Sequence, residues 1–436
     1  MTLVPVHKLI TYPTIFPSIG QQPKTKWPKH ASEAQCKKIV EWQEQAKKEN
    51  KAIYVRDDLF KRRMIVTPER DVYIVFNKRS QNDEILGKDY SYKAVRYAED
   101  FFTGQKYATA TMDLDNDLEE SENELRNLLA VQGLENFVQL KCYVDYTSKK
   151  VHTKKDTPTT GLPKKKRRLI LELGDAGDLD QAIEQHSLTR LQLRQIILQI
   201  LRALAVLHED KKTIHRDLRG PNIFLKKIKE GYKPLIGDMS TACHLENDYE
   251  RRQIRTSCWY LSPECVKSSL AHGEQLHKLR EAKKLQKSEM RDAKIAEIKK
   301  EIRKFANQFL ENTNPKLDIW SVGCIIHQIN RGIFSLPWCH SHEEKPVFSR
   351  IKSFKHIAPR DPMDDPILYS LTEQILQVDP QKRPTAAALL SLMETSLQQE
   401  KEKLEKERLA SYRSLSSKRL PKIPPKYPSI KDIVHH

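Results

Sequence analysis

A chain of 436 residues, 38% hydrophobic and 31% charged, is long enough for two or three lobes and has the balance of a globular protein in water. It contains no run near the roughly 18 apolar residues of a membrane-crossing helix, and its proline-broken start does not read as a signal peptide. The formal charge of +18 gathers in "LPKKKRR", in the stretch 266–304 and in the C-terminal tail, with no nucleic-acid-binding motif beside it, so it reads as local lysine and arginine runs.

Residues 1–80 read as an N-terminal extension with one helix, "SEAQCKKIVEWQEQAKKENK", and short strands such as "DVYIVF". From about 84 to 174 strands dominate: "YKAVRYAED", "QKYATATM", "VQLKCYVDY" and "RLILEL". One helix, "DLEESENELRNLLAVQG", interrupts them; Leu125, Leu128 and Leu129 give it an apolar face and Gly133 a stop. Beyond 175 the pattern turns helical, beginning with "LTRLQLRQIILQILRALAVLHED", whose apolar residues recur at three and four. A highly charged insertion over about 266–312 reads as a long helix or helical hairpin, either a solvated connector or the seat of a regulatory partner. The tail 396–436 begins as charged helix and ends rich in proline. The seven cysteines include no CxxC pair, which points to free thiols in a reducing, cytoplasmic setting. "LPKKKRR" doubles as a candidate nuclear import signal, although a basic turn between two strands is also ordinary.

Chemistry concentrates after the long helix. In "IHRDLRGPN", Asp217 is followed five positions later by Asn222, and Asp238 comes after an apolar hairpin. That order suits phosphoryl transfer: the first Asp accepts or orients a hydroxyl proton, while the Asn and the second Asp hold a divalent metal against nucleotide phosphates.

Over roughly residues 84–395 the sequence resembles the eukaryotic-type protein kinases. "TSCWYLSPE" is similar to the end of an activation segment, with Pro263 and Glu264 closing it and Thr256 in the serine/threonine pattern. "KLDIWSVGCII" looks like the helix whose Asp, here Asp318, braces the catalytic loop around His215 and Arg216. "DPQKRPTA" supplies Arg383, which in this family pairs with Glu264. "LILELGDAGDL" resembles the hinge, with Leu171 as gatekeeper and Glu172, Leu173 and Gly174 lining the nucleotide.

The resemblance implies an α+β bilobal fold over 81–395, with an N-lobe over 81–174 and a C-lobe over 175–395. It further implies ATP, Mg²⁺ (with Mn²⁺ as the substitute ion) and Ser/Thr protein substrates. Asp217 and Arg219 would be catalytic, with Asn222 and Asp238 as metal ligands.

Two departures stand out. The glycine-rich loop reads "LGKDYSYKAV", keeping Gly87 but placing Asp89 near the second glycine position. Ala110 occupies the strand lysine position. The separation of Val95 from Ala108 matches the family register and puts Lys93 at the third glycine position, similar to the with-no-lysine kinases. Lys93 would then clamp the phosphates, since a flexible ammonium is not tied to one backbone origin. Its helix partner would be Glu124, with Glu122 as the alternative. Met239 and Ser240 replace the Phe and Gly that normally follow Asp238. The rival reading is a pseudokinase scaffold that binds partners through the charged insertion.

Overall fold

The computed structural model describes residues 27–28, 31–60, 62–76, 94–148, 163–252, 258–284, 289–338 and 347–417. Helix α1 (Glu33–Glu49) starts on Ser32, whose hydroxyl accepts from the Gln35 N–H while the Gln35 side chain accepts from the Ser32 N–H. It stops at Asn50 in the left-handed conformation. Its inner face, Ile39, Trp42 and Ala46, packs with Met64, Val66, Val72 and Phe101.

Seven strands form the N-lobe sheet: β1 (Ile53–Asp57), β2 (Arg62–Val66), β3 (Val72–Val75), β4 (Ala94–Asp100), β5 (Lys106–Asp113), β6 (Leu140–Ser148) and β7 (Lys164–Leu171). They lie in the order β1-β2-β3-β4-β5-β7-β6, every neighbouring pair antiparallel. The first strand also comes against the last, β1 against β6, so the sheet curls towards closure. One face carries Ala110, Met112, Leu169 and Leu171 towards helix α2 (Leu118–Ala130). The other packs Ile65, Tyr73, Ala98, Cys142, Val144 and Ile170 together.

Strands from both sides of the boundary that composition suggested near residue 80 belong to this one sheet. Val75 pairs with Ala98, so β1–β3 are strands of the lobe itself. The basic run also acquires a structure. Lys164 to Arg168 open strand β7, with Arg167 and Arg168 only 5% and 7% exposed. Arg167 bridges Asp145 and Glu122, and Arg168 lies against the rings of Tyr54 and Tyr146.

The C-lobe begins with α3 (Leu179–Glu184) and α4 (Arg190–Glu209), the latter capped by Thr189 and Gln192. Helix α4 buries Ile196, Ile197, Ile200, Leu201, Leu204 and Leu207, each worth about 1.5–3 kcal/mol of burial. Strand β8 (Thr213–Ile214), the hairpin β9 (Ile223–Ile228) and β10 (Gly231–Ile236), and β11 (Cys243–His244) follow, with β11 returning to pair with β8. Then come α5 (Asp248–Arg251), α6 (Pro263–Lys284), α7 (Glu289–Asn312), α8 (Lys316–Arg331), α9 (Val347–Ser353), α10 (Pro366–Ile375) and α11 (Ala386–Ser417). Helices α6 and α7 form a hairpin with its own small core of Ala282, Ile295 and Ile298. Trp320 of α8 is fully buried and stacks on Trp338 at 5.6 Å. A strand-rich lobe and a helical lobe, joined between Leu171 and Gly177, make this an α+β bilobal fold. Among the described residues, no helix is long and apolar enough to cross a membrane.

Candidate active site

The loop after β8 is held from beneath by one carboxylate. Asp318, on α8 and 0% exposed, accepts from the backbone N–H groups of His215 and Arg216, each at 2.8 Å. His208 Nε2 lies 2.8 Å from its Oδ2. Burial works to raise the Asp318 carboxyl, but the hydrogen bonds and the His208 and His215 dipoles hold it below the usual value. The anchor forces Arg216 to φ 68, which only a surrounding network sustains in a non-glycine residue. That network includes Arg216 Nε donating to Thr241 O and an Nη donating to Glu250 O, at 2.6 and 2.8 Å.

His215 links the two halves of the site. Its Nε2 lies 2.9 Å from Gly237 O, and its Nδ1 lies 3.3 Å from the Asp217 N–H. A carbonyl only accepts and an N–H only donates, so these partners assign the neutral ring with its proton on Nε2.

Asp217 is partly open to the cleft. Asn222 Nδ2 donates both to the Asp217 carbonyl, at 2.8 Å, and to Asp217 Oδ2, at 3.0 Å. Arg219 Nε donates to the same Oδ2 at 3.3 Å. The short 3₁₀ turn Gly220–Asn222, with Pro221 inside it, sets Asn222 at this distance. With its NH₂ committed to Asp217, Asn222 leaves its amide oxygen to act as a ligand. The Gly237 N–H donates to Asn222 O at 2.9 Å, tying the loop to the residue before Asp238. Asp238 itself is left-handed, at φ 56 and ψ 68, and accepts from Ser240 Oγ at 2.8 Å. Met239 is fully buried in the core of the lobe interface.

One amide oxygen and one carboxylate form a hard-oxygen pair, the donor type of Mg²⁺ or Mn²⁺ rather than of zinc or copper. Among the described residues no group of three or more His, Cys, Asp or Glu side chains gathers for a metal.

Val95 and Ala108, on adjacent strands, and Phe224 are half-buried against the same hydrophobic core as Leu171. Gly174 lets the connecting strand lie on Phe224, since a Cβ there would come 2.5 Å from Phe224 Cβ. Glu172 donates its N–H to Gln139 O at 2.8 Å, and its carboxylate meets Lys226 at 2.6 Å. Leu173 continues the connection.

The two candidate helix glutamates part company. Glu122 faces Arg167 at 2.9 Å and is half exposed, whereas Glu124 is 1% exposed beside Leu125 and Leu128. Ala110 is fully buried, paired with Val95 on one side and Leu169 on the other. Lys93, Gly87, Asp89 and Thr256 lie outside the described residues. At the far side, Arg383 meets Glu264 in a bidentate pair at 2.6 and 2.7 Å, with its guanidinium 4.7 Å from the Trp320 ring centre.

Several site residues were not singled out from sequence. Phe224 packs between Gly174 and Gly237, where a Cβ on Gly237 would lie 2.7 Å from its ring. The places of Phe224 and Gly237, just after Asn222 and just before Asp238, were the available signal. Asp180 has its Oδ1 over Gly220, where a Cβ would come within 1.7 Å. Burial, with Asp178 adding to it and Arg219 opposing, pushes the Asp180 carboxyl up to about 6.

Known proteins are similar in sequence over part of the chain. The sequence profile of the protein kinase domain matches residues 84–279. The serine/threonine-protein kinase Nek5 of Mus musculus is 27% identical over 226 residues, which is 51% of this chain and 28% of that protein. The liver/testis phosphorylase b kinase gamma catalytic chain of Homo sapiens is 23% identical, covering 51% of this chain and 45% of its own length. The serine/threonine-protein kinase PLK1 of Xenopus laevis is 25% identical, over 52% of this chain and 28% of its own. The matched part thus spans less than half the length of each.

Proposed function

Since the chain belongs to the eukaryotic-type protein kinase superfamily through its kinase domain, we propose that it transfers the γ-phosphoryl group of ATP to Ser or Thr of protein substrates, with Mg²⁺ as the ion. The observation that carries this reading is the convergence of Asp217, Asn222 and Asp238 through His215 and Gly237. Asp217 Oδ2 is poised by Asn222 and Arg219 to orient the substrate hydroxyl and receive its proton as the new O–P bond forms and the bond from the γ-phosphorus to the bridging oxygen breaks, that oxygen leaving on ADP. Arg219 then balances charge on the transferred group. A divalent ion held by Asn222 and Asp238 supplies charge neutralisation at the phosphates when bound. Val95, Ala108, Leu171 and Phe224 are apolar partners suited to a flat aromatic base, and positioning contributes much of the rate.

Lys93 is our choice for the phosphate clamp, supported by the strand register that pairs Val95 with Ala110 and by the burial of Ala110, which leaves β5 without a cation at that position. Glu124 is the carboxylate suited to answer it. The α6–α7 hairpin is the proposed seat of a protein partner. A cytoplasmic setting is supported by the five described cysteines, all free.

The test is transfer from γ-labelled ATP with Mg²⁺ to a generic basic protein, alongside Lys93→Met and Asp217→Ala. We expect transfer by the wild type and a loss of about 10²-fold or more in both variants. Transfer that survives Lys93→Met removes the clamp role. Absence of both transfer and an ATP-induced thermal shift in the wild type would make the chain a scaffold.

A further inference from the structure

The helix α2 carries three polar residues on one face, Asn123, Arg126 and Asn127, spaced three and four apart. Asn123 and Asn127 are 3% and 6% exposed, an unusual place for two amides. Their partners are all backbone carbonyls of the turn that follows Asp238. Asn123 Nδ2 donates to Ser240 O at 2.6 Å and Ala242 O at 3.0 Å. Asn127 Nδ2 donates to Met239 O at 3.1 Å and Ala242 O at 2.8 Å. Arg126 donates to Asn123 Oδ1 at 2.5 Å, which fixes the direction of that amide, and pairs with Glu250 at 2.6 Å. Glu250 in turn offers its carbonyl to Arg216 in the catalytic loop.

We propose that Asn123 and Asn127 are positioning residues for phosphoryl transfer: their four bonds clamp the 239–242 turn to α2, so that Asp238 and the helix move as one body and the metal-binding arrangement is the resting one. This deepens the kinase reading and rests on it. The physical reason is the cost of separation. If α2 swung outward, the Ser240 and Ala242 carbonyls would lose these amide donors together, and Met239 O would keep only the Ala242 N–H. Ser240 adds to the clamp, because its hydroxyl holds Asp238 Oδ1 while its carbonyl accepts from Asn123. An apolar residue at either amide position would keep the helix and lose the clamp.

The experiment compares the full chain with the double variant Asn123→Leu/Asn127→Leu and with the milder Arg126→Gln, which leaves both amides but frees the orientation of one. Hydrogen exchange is followed at residues 239–244 and, as the internal standard, at 196–207 of α4. In parallel, the apparent KM for Mg²⁺ is measured at saturating ATP. We expect exchange at 239–244 to quicken about tenfold or more in the double variant with α4 unchanged, and by a smaller factor in Arg126→Gln. The apparent KM for Mg²⁺ should rise about fivefold or more, with most of the kcat recovered at high Mg²⁺. Unchanged exchange at 239–244 would overturn the proposal, as would acceleration spread equally over α4. So would a fall in transfer that Mg²⁺ does not relieve. Should the wild type prove inactive, the kinase reading falls, while the exchange arm still decides whether the clamp exists.

Discussion

The catalytic loop and the α6–α7 hairpin are built to opposite rules. Around His215 to Asn222 nearly every polar atom is answered by another element: Asp318 from α8, Gly237 from the β10 end, and Thr241 and Glu250 from the segment beyond. The outer part of the hairpin has a small core of Ala282, Ile295 and Ile298, with Lys, Arg and Glu over most of its surface, whereas Cys265, Val266 and Phe309 at its base belong to the lobe core. The hairpin is anchored at its base, where Asn312 Nδ2 donates to Glu264 O and Ser268 Oγ, and Arg251 donates to Leu310 O and Thr313 O. The lesson is a division of labour. The proposed chemistry sits where the backbone is over-determined, and the proposed partner surface sits where few contacts reach the rest of the fold.

Removing the brace breaks the comparison most sharply. Asp318→Ala leaves two buried N–H groups and His208 without their acceptor, and should cost about 3–5 kcal/mol in denaturant unfolding and most of the transfer activity. The pH dependence has a defined sign. The folded carboxyl lies below its ordinary value of 3.8, so its contribution is complete above about pH 4 and disappears as pH falls through the folded value. The stabilities of wild type and variant should therefore converge in acid. A variant that unfolds like the wild type at pH 7 would remove Asp318 from its role.

Asp180 tests the opposite sign beside the same loop. Its folded value of about 6 exceeds the ordinary 3.8, so the ionised form is disfavoured and the cost grows as pH rises from about 4 through 6. Asp180→Asn should stabilise by about 1–2 kcal/mol at pH 8, after allowing for its remaining contact with water, and by nothing near pH 4. A pH-independent difference between the two proteins would exclude this account.

The smallest effect is expected at the hairpin. Replacing residues 279–302 by a short Gly-Ser connection should move the melting temperature by less than about 2 °C, because the base contacts stay in place. A fall of more than about 5 °C would show that this outer part also shares the core of the lobe.

What could be read from sequence was what is written locally. Asp217 and Asn222 share one turn, and their spacing alone brings amide to carboxylate; Asp238 follows a hairpin that an apolar pattern announces. The helical nature of 266–312 was equally local. What could not be read depended on partners far along the chain. Strands β1–β3 looked like an extension because nothing near Val75 announces Ala98. Arg167 and Arg168 looked like surface charge because Asp145, Glu122 and the tyrosines that receive them come from other elements. Glu122 and Glu124 looked equivalent for the same reason, since the Arg167 that meets Glu122 comes from another element. Asn123 and Asn127 showed only as polar positions in an acidic helix, their carbonyl acceptors lying more than a hundred residues downstream.

Helix α11 has a mechanical consequence. Glu394 meets Arg202, and Glu400 meets Arg194, so the helix is fastened to α4 at two points along its axis. From Lys401 to Ala410 every residue is exposed, yet the helix continues to Ser417. At 1.5 Å per residue, the stretch 401–417 reaches about 25 Å beyond its last fastening. A rod clamped twice is a boom rather than a leash. Whatever it carries is displayed at a set range and heading, and cannot fold back over the catalytic cleft unless the helix itself breaks.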